Sequence, residues 1–149
     1  MRSIQAALLT AAVLGGGLSL AQDDSDDQIK YRQAVMKSLG GHFAATSLIM
    51  RDKVDFRPHL IDHARALANA SINIHAIFPQ SSELGETEAM AEIWEKPEEF
   101  QLKLAAAEQA ADNFLRAVEA DDQQQMQSTF RELGQSCKGC HDEFRMKKE

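Results

Sequence analysis

Apolar residues recur in this chain every three to four positions over four separate stretches, a period that suits helices and not strands. The first stretch runs from about Asp26 to Met50, with Ile29, Met36, Leu39, Phe43 and Met50 on one face. The second begins at Pro58, a good first-turn residue, and carries Leu60, Ala64, Leu67, Ser71, Ile74 and Phe78 to a stop at Pro79. The third opens with Pro97 and continues through Phe100, Leu104, Ala107, Ala111, Phe114 and Val118. Asp121 or Asp122 caps the fourth, whose stripe is Met126, Phe130, Leu133, Cys137, Cys140 and Phe144. Composition agrees, because 22 Ala against 4 Val, 1 Tyr and 1 Trp favour helices over β-branched, aromatic-rich strands. The first and third connections are short, which makes successive helices antiparallel neighbours; the second, Pro79 to Lys96, is longer, with a turn of helix around Met90 to Glu95. The expected fold is all-α, an antiparallel four-helix bundle in one domain.

Residues 1–21 stand apart from this pattern. Arg2, an apolar run from Ala6 to Leu20 broken by Gly15, Gly16 and Gly17, and the small-x-small site Ser19-Leu20-Ala21 read as a secretory signal peptide. The run is short of the roughly 20 residues a membrane anchor requires. The mature domain, 22–149, then carries 15 basic and 23 acidic residues, net −8. That charge excludes a nucleic-acid partner, which needs a basic face, and directs an electrostatically steered partner to present one. No later segment is apolar enough to span a membrane, so a periplasmic protein off the membrane is expected, with a poorly ordered acidic start at Asp23 to Asp27.

The chemistry is concentrated in the fourth helix. Cys137 and Cys140 are three apart and His141 is four from Cys137, so all three project from one side of the helix. Cys-x-x-Cys-His reads as a c-type haem attachment: the thiols add to the porphyrin vinyls and the next imidazole ligates the iron. A zinc site wants about four ligands, with His42, His59, His63 or His75 completing the set from other helices. A redox dithiol expects a βαβ context at a helix N-terminus, which this chain lacks. Arg32 falls on the apolar stripe of the first helix, where a guanidinium is costly unless paired. Haem propionates would pair it, and snorkelling to the bundle end would also satisfy it. Arg145, four after His141, is placed either to bond a propionate or to cap its helix. Gly40-Gly41 within the first helix suggests close approach by another helix or chain. For His63 and His75 a surface or hydrogen-bonded role is the default, and Trp94 reads as a packing anchor for the long connection.

Beyond these motifs the mature chain resembles the class II c-type cytochromes, and cytochromes c′ in particular. The matching elements are Lys30-Tyr31-Arg32-Gln33 with Met36 one turn on, Gly41-His42-Phe43, Phe78-Pro79, Glu92-Ile93-Trp94, Pro97-Glu98-Glu99-Phe100, and Cys137 through Arg145. The resemblance implies a four-helix bundle with one haem c bound covalently near the C-terminus through Cys137 and Cys140, and His141 as the axial iron ligand. It implies that Arg32 and Gln33 contact the haem, that Thr87 and Glu88 meet its edge, and that Arg145 is the basic residue beside the ligand. It also implies a homodimer through the first two helices.

Met36 holds the position where cytochromes c′ close the distal side of a five-coordinate iron with an apolar side chain. In low-spin relatives of the same class a first-helix methionine is instead the sixth ligand, and a thioether is ordinary axial chemistry. The five-coordinate form is the expectation, with electron transfer and binding of nitric oxide or carbon monoxide as the function; a six-coordinate electron carrier using Met36 is the alternative. An enzyme is not expected, because peroxidase-like turnover needs a distal acid or base and the first-helix stripe offers none beside Met36.

Overall fold

The computed structural model describes residues 17–147, with side chains from residue 24. Most of the expected leader, 1–16, lies outside the described residues. The elements are α1 (Gly17–Met50), α2 (Leu60–Ser71), a single turn α3 (Glu92–Glu95), α4 (Pro97–Glu119) and α5 (Gln123–Phe144), with 3-10 turns at Arg57–His59, Ile74–Ile77 and Gln80–Ser82. The four long helices form the expected antiparallel bundle: α1 packs on α2, α2 on α4 and α4 on α5.

Local chemistry explains the boundaries. Pro97 opens α4, where its missing N–H costs nothing. Asp122 caps α5, its carboxylate accepting from the amides of Gln124 and Gln125 at 3.1 and 3.0 Å. Both α1 and α4 end in the same closing motif. Lys53 N–H reaches Leu48 O and Asp52 N–H reaches Ile49 O after α1; Asp122 N–H reaches Ala117 O and Asp121 N–H reaches Val118 O after α4. The turning residues, Asp52 and Asp121, adopt φ of 52° and 50°.

Two expectations are corrected. The acidic start is not loose: Ser25 is 7% exposed, donates to Ser81 O at 2.6 Å, and belongs to α1, which continues without a breaker through Leu18, Leu20 and Ala21. The second helix stops at Ser71, eight residues before Pro79, because the chain tightens into 3-10 turns. Ile74 and Phe78 therefore leave the helical stripe and pack on a separate small cluster.

The main core runs along the bundle, with Phe114, Met126 and Leu133 fully buried and Leu60, Ala64, Leu67 and Ala111 around them. Each large side chain buried there contributes on the order of 1.5–3 kcal/mol. A second cluster of Ile93, Phe100, Leu104 and Phe144 sits where the start of α4 meets the end of α5, edge-on aromatic contacts joining Phe78, Phe100 and Phe144. Cys137 packs on the first cluster and Cys140 on the second. No helix among the described residues is long and apolar enough to cross a membrane. An added Cβ at Gly40 or Gly41 meets nothing within 4 Å, so no helix among the described residues approaches there.

Candidate functional site

The site is built at one end of the bundle, where the first half of α1, the start of α4 and the end of α5 converge beneath the connection 72–96. Further along, α1 meets α5 through Phe43 and Phe130, stacked at 4.5 Å. Gly134 permits this, since a Cβ there would stand 3.1 Å from Phe43 Cζ. Two turns toward the site from that stack, about 10 Å along each helix, come Met36 on α1 and Cys137 on α5. One turn beyond are Arg32 and Gln33 on α1, with Cys140 and His141 on α5. The antiparallel register thus sets the candidate distal residue and the attachment motif at one level.

Cys137 and Cys140 are unpaired and half-buried. Burial pushes the Cys137 thiol up; Cys140 is pushed up to about 11, by burial first and then by the neighbouring Cys137. Both are protonated at neutral pH, the opposite of the lowered pKa that activates a redox dithiol. His141 is exposed, its pKa lowered by desolvation first and by Arg145 second, while Asp142 opposes the shift. The ring is therefore neutral, the form with a lone pair to give a metal. Among the described residues no group of three or more His, Cys, Asp or Glu side chains is placed to hold a metal ion, so the zinc alternative finds no ligand set. A porphyrin brings its own equatorial donors and asks the protein for the imidazole alone, and this donor set fits that requirement.

Arg32 is 3% exposed. Its Nη1 donates to Ser82 Oγ at 2.6 Å and weakly to Ile77 O at 3.5 Å; its Nη2 donates to Ser82 O at 3.1 Å and Thr87 Oγ1 at 2.8 Å. The guanidinium also lies over Phe78 and Trp94, 4.9 and 5.9 Å from their ring centroids. It does not snorkel. Every oxygen it reaches is neutral, and among the described residues it has no ion pair. Burial lowers its pKa, yet arginine stays charged, so a buried cation without a carboxylate partner suits the anionic edge of a haem.

Gln33 donates to Glu86 O at 2.8 Å. Thr87 Oγ1 also accepts from Ala89 N at 3.1 Å. Glu88 pairs with Arg145 at 2.6 Å, and Ala89 bridges to Arg145 through the backbone. Five residues named from resemblance, Arg32, Gln33, Thr87, Glu88 and Arg145, thus form one connected set around the connection. Trp94 anchors that segment, its Nε1 donating to Phe78 O at 3.2 Å. Met36 is half-buried. Sequence reasoning missed Ser82, fully buried and holding Arg32, because a serine in a Ser-Ser turn carries no periodic signal. It also missed that His42 and His63 meet, Nδ1 to Nδ1 at 2.9 Å, across α1 and α2. Two surface grooves lie apart from the cysteines: one of about 480 Å³ between α2 and α4 at Ala68, Ile72, Ala105 and Asp112, and one of about 250 Å³ beside His75, Phe78, Trp94 and Phe100.

A family model described as Cytochrome C' matches residues 27–145. A cytochrome c' of Pararhodospirillum photometricum is 33% identical over 118 residues, covering 78% of this chain and 94% of that protein. A cytochrome c' of Rhodopseudomonas palustris is 31% identical over 141 residues, 91% of each chain, and a cytochrome c-556 of Agrobacterium fabrum is 31% identical over 143 residues, 94% and 95%. Among solved structures, a nitric oxide complex of a cytochrome c prime variant from Alcaligenes xylosoxidans superposes with a TM-score of 0.77 at 27% identity, covering 83% of this chain and 97% of that one. A carbon monoxide-bound variant of the same protein gives 0.76. A bundle with a Cys-x-x-Cys-His end, suited to one covalently attached haem c, matched by a family model over most of its length, places this chain in the cytochrome c′ family.

Proposed function

We propose that this chain is a periplasmic electron-transfer protein that binds neutral diatomic gases at a five-coordinate haem iron, with His141 as the axial ligand and Met36 closing the opposite side. Haem c supplies an iron that exchanges single electrons and takes small ligands. Cys137 and Cys140 fix the macrocycle to α5, Cys137 at the edge of one apolar cluster and Cys140 at the edge of the other. His141 presents a neutral imidazole.

The observation that carries the gas-binding reading is the engagement of the polar side chains one turn from Met36. Arg32 is held at Ser82 and Thr87, at the edge where a propionate would meet it, and Gln33 donates to Glu86 O. That leaves an apolar distal side without an acid or base, which favours neutral diatomics over anions and speaks against peroxidase turnover. The nitric oxide and carbon monoxide complexes of the similar solved proteins support the same reading. The apolar run ahead of Ala21 supports export. Tyr31 and Leu48, 64% and 42% exposed on α1, with the open Gly40-Gly41 surface, support a homodimer through α1 and α2.

The test is the ferrous absorption spectrum with Met36→Ala beside it. A high-spin spectrum and faster carbon monoxide binding in the variant are expected. A low-spin spectrum that turns high-spin on Met36→Ala would assign Met36 as sixth ligand and overturn the five-coordinate state.

A further inference from the structure

The last turn of α5 carries His141, and last turns fray because their carbonyls lack helical partners. Here they are held. Arg145 N–H bonds His141 O at 3.2 Å, Met90 N–H bonds Phe144 O at 3.1 Å, and Met146 N–H bonds Glu88 O at 2.8 Å. Glu88 Oε2 accepts from both Nε and Nη2 of Arg145, at 2.7 and 2.6 Å. The other end of the same segment is fixed to α1 by Arg32 on Thr87 and Gln33 on Glu86 O.

We propose that residues 86–90 are a strap that positions the axial ligand, and that Glu88 is a positioning residue acting on His141 through Arg145. This rests on the haem reading above. The backbone bonds close the helix end, while the carboxylate sets where the Arg145 guanidinium lies and offsets its charge one turn from the imidazole. Because the strap is tied to α1 as well, the side of the site bearing Met36 and the side bearing His141 are mechanically joined through five residues.

The test uses haem-loaded Glu88→Gln, Glu88→Asp and the charge exchange Glu88→Arg with Arg145→Glu. In Glu88→Gln the amides of Met90 and Met146 should exchange about two- to fivefold faster, the range for a half-exposed ion pair. The midpoint potential should rise, as an uncompensated cation is left near the iron, and the ferrous iron–imidazole Raman band should shift or broaden. Glu88→Asp and the charge exchange should each recover part of all three. Unchanged exchange, potential and band in Glu88→Gln would overturn the proposal, as would a charge exchange no better than the single variant. A pyridine haemochrome spectrum of the wild type separates the two readings: without a thioether-linked haem the haem reading fails, and amide exchange alone still decides the strap.

Discussion

Replacing Arg32 by Met tests whether the connection is held by a buried cation. The substitution keeps a long side chain for the space between Phe78 and Trp94 but removes the donors at 2.6, 2.8 and 3.1 Å to Ser82 Oγ, Thr87 Oγ1 and Ser82 O. A hydrogen bond from a charged donor contributes about 1.5–3 kcal/mol, so the three together contribute about 5–9 kcal/mol before desolvation. Taking the guanidinium out of water costs several kcal/mol, even after relaxation. The difference, with Ser82 O and Thr87 Oγ1 left short of a donor, is a loss of about 2–4 kcal/mol. For a domain of this length that lowers Tm by about 6–16 °C. Far-UV circular dichroism melts of the holoprotein measure it, and amide exchange at Ala89 localises it, since that N–H rests on Thr87 Oγ1. Arg32→Lys should recover less than half, because an ammonium lacks the fork that spans Ser82 and Thr87. A Met variant melting within about 2 °C of wild type, with Ala89 exchange unchanged, would refute the argument.

Other outcomes follow from single features. Asp52→Gly should stabilise the protein by about 0.5–1 kcal/mol, read as a higher urea midpoint, because φ of 52° is free for glycine and strained for aspartate. Gly85→Ala should loosen the connection, since Gly85 has φ of 139° and an added Cβ would stand 2.7 Å from Ile29 Cδ1; faster proteolysis in the 80–90 segment reports it. Asp122 accepts two helix amides, which lowers its pKa, so its stabilisation is present above the ordinary carboxylate value and is lost as pH falls through the lowered one; Asp122→Ala should lower Tm at pH 7 and flatten the acid limb of a stability–pH curve. His63 has its pKa lowered, by burial first and then by His42 and His59, with Asp62 opposing. The unfolded chain then binds the extra proton below about pH 6.5, so stability falls as pH drops through that value, and His63→Gln should reduce the fall in holoprotein melts between pH 7.5 and 5.

The bundle was legible where periodicity and punctuation agreed. Pro97 and Asp122 mark true helix starts, and the stripe from Met126 to Phe144 faces the core as its spacing implies. Periodicity misled beyond Ser71, because Ile74 and Phe78 continue the i, i+3, i+4 pattern while serving a different cluster. Nothing in a one-dimensional pattern distinguishes a further helical turn from an apolar loop that packs nearby. The attachment motif was legible because its chemistry is local, three side chains within five residues. Arg32 was noticed as a misplaced charge, but its partners are about 50 residues away in a turn of ordinary serines and threonines, and only the fold brings them together.

The connection between α2 and α4 also sets how this protein assembles. Its bonds to α1 and to the end of α5 join residues 45 to 58 apart in sequence, whereas the helical hairpins α1–α2 and α4–α5 close over nine and three residues. Low contact order makes such hairpins quick to form, and the loop-closure cost falls on the long-range contacts. Docking of 77–90 is therefore expected late in folding, which pulse-labelled hydrogen exchange would read as slower protection of the Ala89 and Met90 amides than of the helices. A strap that docks late would rigidify the finished site while leaving, until then, an interval in which the two thiols proposed for haem attachment are reachable.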